Sequence, residues 1–559
     1  MEAKVWQQFY DYDVPVTIRY PRLPIQELLN LAYKTCPDKP AINFYGTKIT
    51  YWELRRQILL MANALGALGL NKGDRVGLHL PNSPQYIISY YAILSLGAVV
   101  VNLNPMYSMD ELKLIVEDTG IKALITFDMV VPVISKLCKE VEIPSVIVTR
   151  VTDFVKGMGR STAKELELEE GWHHFSDFLD NSPGAKRCRV EVGPDDIAMI
   201  NYTGGTTGHP KGAVLTHANM VASVFQAYMW GRGITQPIPV ERRFVLSVLP
   251  FFHVYGNAFA MNLSMLNCST QIVVPRFYPD ELMGLLANFN EITFFPAVPT
   301  LIGAVVNHPD AEKLDLGKKF GLLNAGAAPM PVELIERVKD MGIYFGEGYG
   351  LTESTSLATS NPIMGVKKTG SIGIPMPDTD VRLVDVEEGV EDVRPGEPGE
   401  IIIKSPLIMK GYWNRPEETA GQIRDGWLYT GDIAVRDEDG YIFIVDRKKD
   451  MIIAGGFNIY PREIDEVLYA HPKVEEAVSV GIDDTYRGET VKAYIVLRKG
   501  EQATEEEIIS FCRTKLAAYK VPKIVEFRDS LPKSMVGKIL RRVLREEEMA
   551  KKKAANPDS

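Results

Sequence analysis

Cysteine is sparse in this sequence, and the few residues present show no pairing. Cys36, Cys138, Cys188, Cys268 and Cys512 are scattered, odd in number and without a C-x-x-C spacing. That pattern argues against a disulfide framework and predicts reduced thiols in a cytosolic compartment. Positive charge is also short. There are 62 Lys and Arg against 72 Asp and Glu, a formal net charge of −10. No nucleic-acid partner is expected, because such proteins usually present a basic face, although a local basic site for a phosphorylated ligand stays open. Met1 to Tyr10 carries Glu2 and Lys4 and no apolar core of signal-peptide length. Asn556–Ser559 does not match a peroxisomal tripeptide. Internal repeats are lacking.

One stretch, Leu80 to Met109, carries no charged residue. A hydropathy scan flags it as a membrane span. A helix–strand pair in a buried core accounts for it better. Ser83-Pro84 has the chemistry of an N-cap and first helical position. The apolar positions Tyr86, Ile87, Tyr90 and Leu94 follow, a stop is expected near Gly97, and Val99–Val101 reads as a buried strand.

At 559 residues, 46% hydrophobic and 24% charged, the chain is long enough for two or more globular domains. Helical and strand patterns alternate through most of it, the mark of layered α/β structure. Strands are expected at Arg75–Leu80, Ala123–Phe127 and Ser145–Thr149, and a charged surface insertion at Gly157–Gly171. Val381–Lys404 shifts to short strands and Pro/Gly turns, a β-rich subdomain. Near Asp446 a smaller α/β unit begins. Pro461 opens a helix, Thr504-x-x-Glu507 forms a capping box, and Lys492–Arg498 and Ile524–Phe527 read as strands. The expected division is 1–446 and 447–559.

The most informative segment is Tyr202-Thr-Gly-Gly-Thr-Thr-Gly-His-Pro-Lys-Gly212. Close glycines let backbone N–H groups approach oxygens, Thr203, Thr206 and Thr207 donate hydrogen bonds, and Lys211 adds charge. Together these suit a polyphosphate. The spacing is not that of a Walker A loop, which needs Gly-Lys-Ser/Thr. A strand at Ile197–Ile200 leads in and another at Ala213–Leu215 leads out.

This segment resembles the phosphate-binding loop of the adenylate-forming superfamily, which includes acyl-CoA synthetases, firefly luciferase and the adenylation domains of peptide synthetases. Four further motifs resemble that family's and follow in its order. They are Tyr349-Gly-Leu-Thr-Glu353, Tyr429-Thr-Gly-Asp432, Asp446-Arg-Lys-Lys-Asp450 and Pro532 to Lys538. The match runs from about Pro24 to Arg542.

The resemblance implies a set of roles. Thr203, Gly204, Gly205, Thr206, Thr207 and Lys211 would hold the ATP phosphates. Tyr349, flanked by Gly348 and Gly350, would stack on adenine, with Gly326 and Ala327 across the base. Asp432 and Arg447 would take the ribose hydroxyls. Thr352 would contact the α-phosphate, and Glu353, with Thr203, would hold Mg2+. Lys538 would be the catalytic lysine, Lys449 the hinge of a mobile C-terminal domain, and Gly455 and Gly456 the lining of a coenzyme A tunnel.

Phe251–Asn257 falls where the family lines its acyl pocket, which places His253 and Tyr255 there. No acidic residue stands between Phe251 and Ser264 to pair a substrate ammonium, so an amino-acid substrate is not expected. The run Asp425–Leu468, together with Val101–Tyr107, is most similar to medium- and long-chain fatty acyl-CoA synthetases. The resemblance implies ATP-dependent ligation of a fatty acid to CoA. Ligation of an aromatic or other acid, or adenylation without CoA, remains the alternative. A non-catalytic acyl- or nucleotide-binding regulator and a P-loop NTPase are rival classes, separable by whether AMP with pyrophosphate or ADP with phosphate is formed. The reading leaves room for peripheral membrane contact and a homodimer.

Overall fold

The computed structural model describes residues 4–156, 167–203, 210–454, 457–484, 487–533 and 539–555. The chain is mixed α/β, as its alternating pattern predicts. Contacts group it into two compact units, Met1–Asp380 with Ile403–Leu428, and Val381–Ile402 with Tyr429–Ser559.

The first unit is built on two large sheets. One has eight strands among the described residues. Gly411–Tyr412, Lys211–Thr216, Ile197–Thr203, Val99–Asn102, Arg75–Leu78, Ala123–Phe127, Val146–Thr149 and His173–His174 lie in that spatial order. The five strands from Ile197–Thr203 to Val146–Thr149 pair in parallel, with helices over their faces, so they read as unbroken apolar runs. The other sheet has nine strands and brings Ser356–Ser360 beside Tyr344–Leu351, Phe320–Ala325 and Ile292–Ala297.

The long uncharged stretch resolves into the helix Pro84–Ser95 and the strand Val99–Asn102. Ser83 accepts a hydrogen bond from the Tyr86 N–H and Pro84 opens the helix. Every residue from Pro84 to Leu94 is buried, so an apolar surface all round is what the location requires. Gly97, with φ +68°, ends the turn. Among the described residues no helix is long and apolar enough to cross a membrane.

A seam of buried polar side chains ties this helix to both sheets. The Asn82 amide donates to the Leu249 carbonyl (2.9 Å) and accepts from the Phe251 N–H (2.8 Å). The Tyr86 hydroxyl lies 2.7 Å from Asn102 Oδ1 and 2.9 Å from the Phe251 carbonyl. Asn102 donates to Asn201 (2.7 Å), and Asn201 donates to the Phe252 carbonyl (2.9 Å). Further along, Tyr91 donates to Asn262 (2.8 Å) and Asn262 to Asn257 (2.7 Å).

The second unit contains the strand Trp427–Arg436 from Tyr429 onward, paired with Ile442–Arg447, and, after it, a sheet in which Gly488–Leu497 pairs with Val474–Asp484 and Ile524–Phe527. Helices Pro461–Tyr469 and Glu505–Arg513 cover it, and Ile464, Leu468, Ile508 and Cys512 enter its core. Thr504 caps the second helix by accepting from the Glu507 N–H. The 446/447 division expected from sequence falls within this unit.

Candidate active site

The Gly-rich loop closes a hairpin. Ile197–Thr203 and Lys211–Thr216 run antiparallel, with Tyr202 opposite Gly212 and Thr203 opposite Lys211. Gly204, Gly205, Thr206 and Thr207 lie outside the described residues. At the loop's exit, the Lys211 ammonium pairs with the Glu418 carboxylate and sits 5.3 Å from the centre of the Tyr412 ring. The short strand Gly411–Tyr412 pairs with Ala213 and Val214, which fixes that ring. The Tyr412 hydroxyl donates to Glu353 Oε1 at 2.8 Å. Burial, and then the Glu353 charge, raise the Tyr412 phenol far above its ordinary range, so it remains a donor. Glu353 is also held through its backbone, its carbonyl accepting from the Met409 N–H at 2.8 Å. Sequence-predicted Lys211, Thr203 and Glu353 thus share one neighbourhood, organised by Tyr412.

The segment Tyr349–Glu353 owes its shape to its glycines. Tyr344–Leu351 pairs tightly with Ser356–Ser360. A Cβ on Gly350 would stand 1.7 Å from the Ser356 carbonyl oxygen, and one on Gly348 would stand 2.8 Å from that of Thr359. Thr352–Ser354 then form a single 3-10 turn, closed by Thr355 at φ +55°. The left-handed Thr355 is costly for a β-branched residue. The turn leaves Tyr349, Thr352 and Glu353 half-buried. Gly326 abuts the Tyr255 ring, and Ala327, exposed, also takes a left-handed φ of +68°.

Tyr255 is buried, and its hydroxyl donates to Asn324 (2.6 Å to Oδ1). Its ring packs edge-on against Phe259, with centroids 5.2 Å apart. Phe259 and Asn324 line an apolar cavity of about 30 Å3, together with Tyr228, Trp230, Phe294 and Leu357. Gly256–Asn262 forms a π-helix beside it, begun by a glycine whose Cβ would be 2.2 Å from the Pro250 carbonyl. Loss of solvent holds the half-buried His253 imidazole down at about 4, so it is neutral near pH 7.

In the second unit, Asp432 and Arg447 face each other across paired strands, Arg447 Nε 3.1 Å from Asp432 Oδ1. Asp432 is buried and Arg447 partly exposed. A buried carboxylate oriented by a guanidinium is a preformed acceptor. Beside them, Lys448 pairs with Glu400 at 3.0 Å. Loss of solvent around its ammonium and the nearby Arg447 charge lower Lys449 to about 8. Asp446 is buried and accepts from the Arg462 N–H at 2.6 Å. Gly455, Gly456 and Lys538 lie outside the described residues.

Tyr412, Glu418 and Asp118 carry no local signal that sequence reading uses. Tyr412 sits in a two-residue strand whose partner lies some two hundred residues earlier. Asp118 accepts from the Tyr202 hydroxyl at 2.5 Å and pairs with Arg415 at 3.3 Å, which braces the hairpin from behind. Only pairing in three dimensions reveals these residues.

Residues 30–413 match the family model described as AMP-binding enzyme, and residues 463–538 match the AMP-binding enzyme C-terminal domain. The long-chain-fatty-acid–CoA ligase of Bacillus subtilis is 41% identical over 556 residues, covering 98% of each chain. That of Escherichia coli O6:H1 is 38% identical over 568 residues, covering 98% of this chain and 99% of its own. The crystal structure of ATP-bound MatB from Rhodopseudomonas palustris superposes with a TM-score of 0.82 at 30% identity, over 94% of this chain and 99% of that one.

Proposed function

This chain belongs to the AMP-binding enzyme family, and from that premise we propose that it is an acid–thiol ligase that joins a fatty acid to coenzyme A. In the first half-reaction a carboxylate oxygen attacks the α-phosphorus of ATP, giving acyl-AMP and pyrophosphate. In the second the CoA thiol attacks the acyl carbon, giving acyl-CoA and AMP. The observation that carries the reading is near full-length identity, 41% over 98% of both chains, to a long-chain-fatty-acid–CoA ligase.

Residue roles follow from chemistry and resemblance together. Lys211 and the Gly-Thr loop 203–207 take the phosphates. In the structure Lys211 is neutralised by Glu418, so ATP binding exchanges a carboxylate for phosphate oxygens. Tyr349 offers a ring to adenine, with Gly326 and Ala327 opposite. Asp432, oriented by Arg447, takes the ribose hydroxyls. Thr352 donates to the α-phosphate. Lys538 neutralises the charge that develops there, the kind of preorganised electrostatic contact that dominates such catalysis.

Among the described residues no cluster of three His, Cys, Asp or Glu side chains forms a metal cage. A lone Glu353, oriented by Tyr412, nevertheless suits Mg2+, which commonly takes one or two carboxylates plus substrate phosphates and keeps several waters. Glu353 and Thr203 would hold the ion, and its chemistry would be to neutralise phosphate charge.

The apolar cavity, with Tyr255 packed beside it and His253 earlier in the same segment, supports an acyl chain as the acid. Its volume is well below the ~300–1,000 Å3 of a ligand pocket, so side chains must part to admit a chain. The second domain, 447–559, turns about Lys449 between half-reactions, presenting Lys538 for the first and Gly455-Gly456 for the second. The absence of an acidic partner in Phe251–Ser264 stands against an amino acid. The test is a panel of fatty, aromatic and amino acids with ATP, Mg2+ and CoA. AMP, pyrophosphate and acyl-CoA from fatty acids are expected. ADP and phosphate would overturn adenylation, and turnover confined to aromatic acids would overturn the substrate class.

A further inference from the structure

One polar atom on the wall of the apolar cavity is left unmatched. Asn267 lines that cavity and is only 7% exposed, and its side-chain oxygen has no hydrogen-bond partner among the described residues. Its polar neighbours on the wall are matched. Asn324 accepts from Tyr255 (2.6 Å) and donates to the Gly346 carbonyl (3.3 Å), and the Thr235 hydroxyl donates to the Gly231 carbonyl (3.2 Å). Trp230 Nε1 and the Ser360 hydroxyl donate to the Asn361 carbonyl at 3.0 and 3.2 Å. Buried polar groups nearly always find a partner, so an unmatched one on a cavity wall points to a ligand.

The backbone of Asn267 is firmly held. Its N–H donates to the Leu263 carbonyl at 3.0 Å, closing the helix Leu263–Leu266, and its carbonyl accepts from Arg243 at 3.2 Å. The same guanidinium donates to the Gln236 carbonyl at 3.2 Å and to the Ile238 carbonyl at 2.8 Å. That ties Asn267 to the end of the helix His217–Thr235. With both backbone groups engaged, the amide is what Asn267 offers to the cavity.

Strand register puts this amide at the far end from the proposed chemistry. Phe244 pairs with Thr270, Val245 with Phe294 and Phe294 with Leu322, all in parallel. One residue separates Phe244 from Val245, and four separate Leu322 from Gly326. Gly326, which abuts the Tyr255 ring, therefore lies five residues further along the strand direction than Thr270, about 17 Å at roughly 3.3 Å per residue. Asn267 comes before Thr270, on the opposite side from Gly326. An acid whose carboxyl reacts at the Gly326 end points its tail at Asn267.

We propose that the Asn267 amide receives a hydroxyl on the distal part of the acyl chain, so that the preferred substrates are hydroxy fatty acids. This rests on the fatty-acid reading above and narrows it. A methyl-ended tail would seal the amide oxygen against hydrocarbon. A hydroxyl donates to that oxygen and, through its own lone pairs, can also accept from the amide N–H. No charged side chain lines the cavity, so a carboxylate or an ammonium on the tail would be buried without a counter-ion. A neutral group that donates is the chemistry that fits.

The test uses the full-length enzyme with ATP, Mg2+ and CoA. Plain fatty acids are compared with acids of equal length that carry a terminal or near-terminal hydroxyl, over a range of lengths. At the length that reaches Asn267 the hydroxy acid should have the higher kcat/KM, by roughly 3- to 10-fold, the scale of one net hydrogen bond. This comparison needs no variant. Asn267→Leu, which removes both polar atoms, should abolish or reverse the ratio and use the plain acid at least as well as the parent does. A ratio that persists in Asn267→Leu, or an equal fall for both acids, would overturn the role of Asn267. If plain acids are turned over and hydroxy acids are favoured at no length, the proposal fails while the fatty-acid reading stands. If neither kind is turned over, the fatty-acid reading itself fails and takes the proposal with it.

Discussion

Replacing Asp432 by alanine separates the two things its carboxylate does in this reading. It pairs with Arg447 at 3.1 Å across the strands, and it is proposed to hold the ribose of ATP. The structural share is small. The Arg447 side chain is 32% exposed, and ion pairs with a solvated partner are worth about 0.2–1 kcal/mol, which for a unit of this size lowers the melting temperature by roughly 1–3 °C. The ligand share is larger. A hydrogen bond to a charged acceptor contributes about 1.5–3 kcal/mol, which corresponds to roughly 10- to 150-fold in the dissociation constant for ATP. Asp432→Asn keeps one acceptor oxygen and should fall between. The assay measures ATP affinity by equilibrium binding and by acid-dependent pyrophosphate exchange, beside a thermal melt of each variant. If Asp432→Ala melts a few degrees lower but binds ATP within twofold of the parent, Asp432 is a strand-pairing residue and the ribose assignment is wrong.

Tyr412→Phe removes the hydroxyl that orients Glu353, so the Mg2+ concentration for half-maximal pyrophosphate exchange should rise about 3- to 10-fold, the scale of one lost hydrogen bond. An unchanged Mg2+ dependence would break the link between Tyr412 and the ion. Lys538→Ala should cut adenylate formation by roughly 10²-fold or more while leaving thioester formation from synthetic acyl-adenylate near the parent rate. Lys533, whose ammonium pairs with Glu476, serves as the control, and a defect in Lys533→Ala instead would refute the assignment. An aromatic side chain at Gly455 should spare pyrophosphate exchange and slow thioester formation. Equal loss of both would argue against a role specific to CoA. Burial holds His79 and His217 down at about 4, against an ordinary 6.5. The unfolded chain therefore binds more protons in that interval, and stability should fall as pH drops from about 6.5 towards 4. His79→Gln should flatten that slope in urea titrations, and an unchanged slope would show that carboxylates set it.

Much of the scaffold was legible in the sequence because its signals are local. Ser83-Pro84 capped a helix where the chemistry said it would, Ala123–Phe127 and Ile524–Phe527 are strands over those same residues, and Pro461 opens its helix. Strand ends were less legible. Arg75–Leu78 stops two residues short of the expected Leu80, and Ile197–Thr203 runs three beyond Ile200, because pairing partners rather than propensity decide where a strand stops. The π-helix at Gly256–Asn262 was not legible at all. It depends on Gly256 seating against the Pro250 carbonyl and on Asn257 and Asn262 finding each other. In the candidate site, the Gly-rich loop could be picked out from its glycines, hydroxyls and lysine, and Glu353 from its place in a motif that resembles the family's. Tyr412, Glu418 and Asp118 are ordinary residues whose importance comes only from what they touch.

The polar seam around the helix Pro84–Ser95 has a consequence for how the molecule reaches its native state. Apolar packing forgives small slips, since one leucine replaces another at modest cost. Amides and hydroxyls do not, because each buried group left without its partner costs about 1–3 kcal/mol. Asn82, Tyr86, Asn102 and Asn201 between them anchor the backbone of 249–252, immediately before His253. A helix docked one residue out of place would strand most of these groups at once, with a combined penalty comparable to the whole stability of a domain. The seam therefore works as a proofreading device. The His253 segment either forms in its correct position or the two sheets fail to join, and partly assembled chains with a misplaced segment should not accumulate.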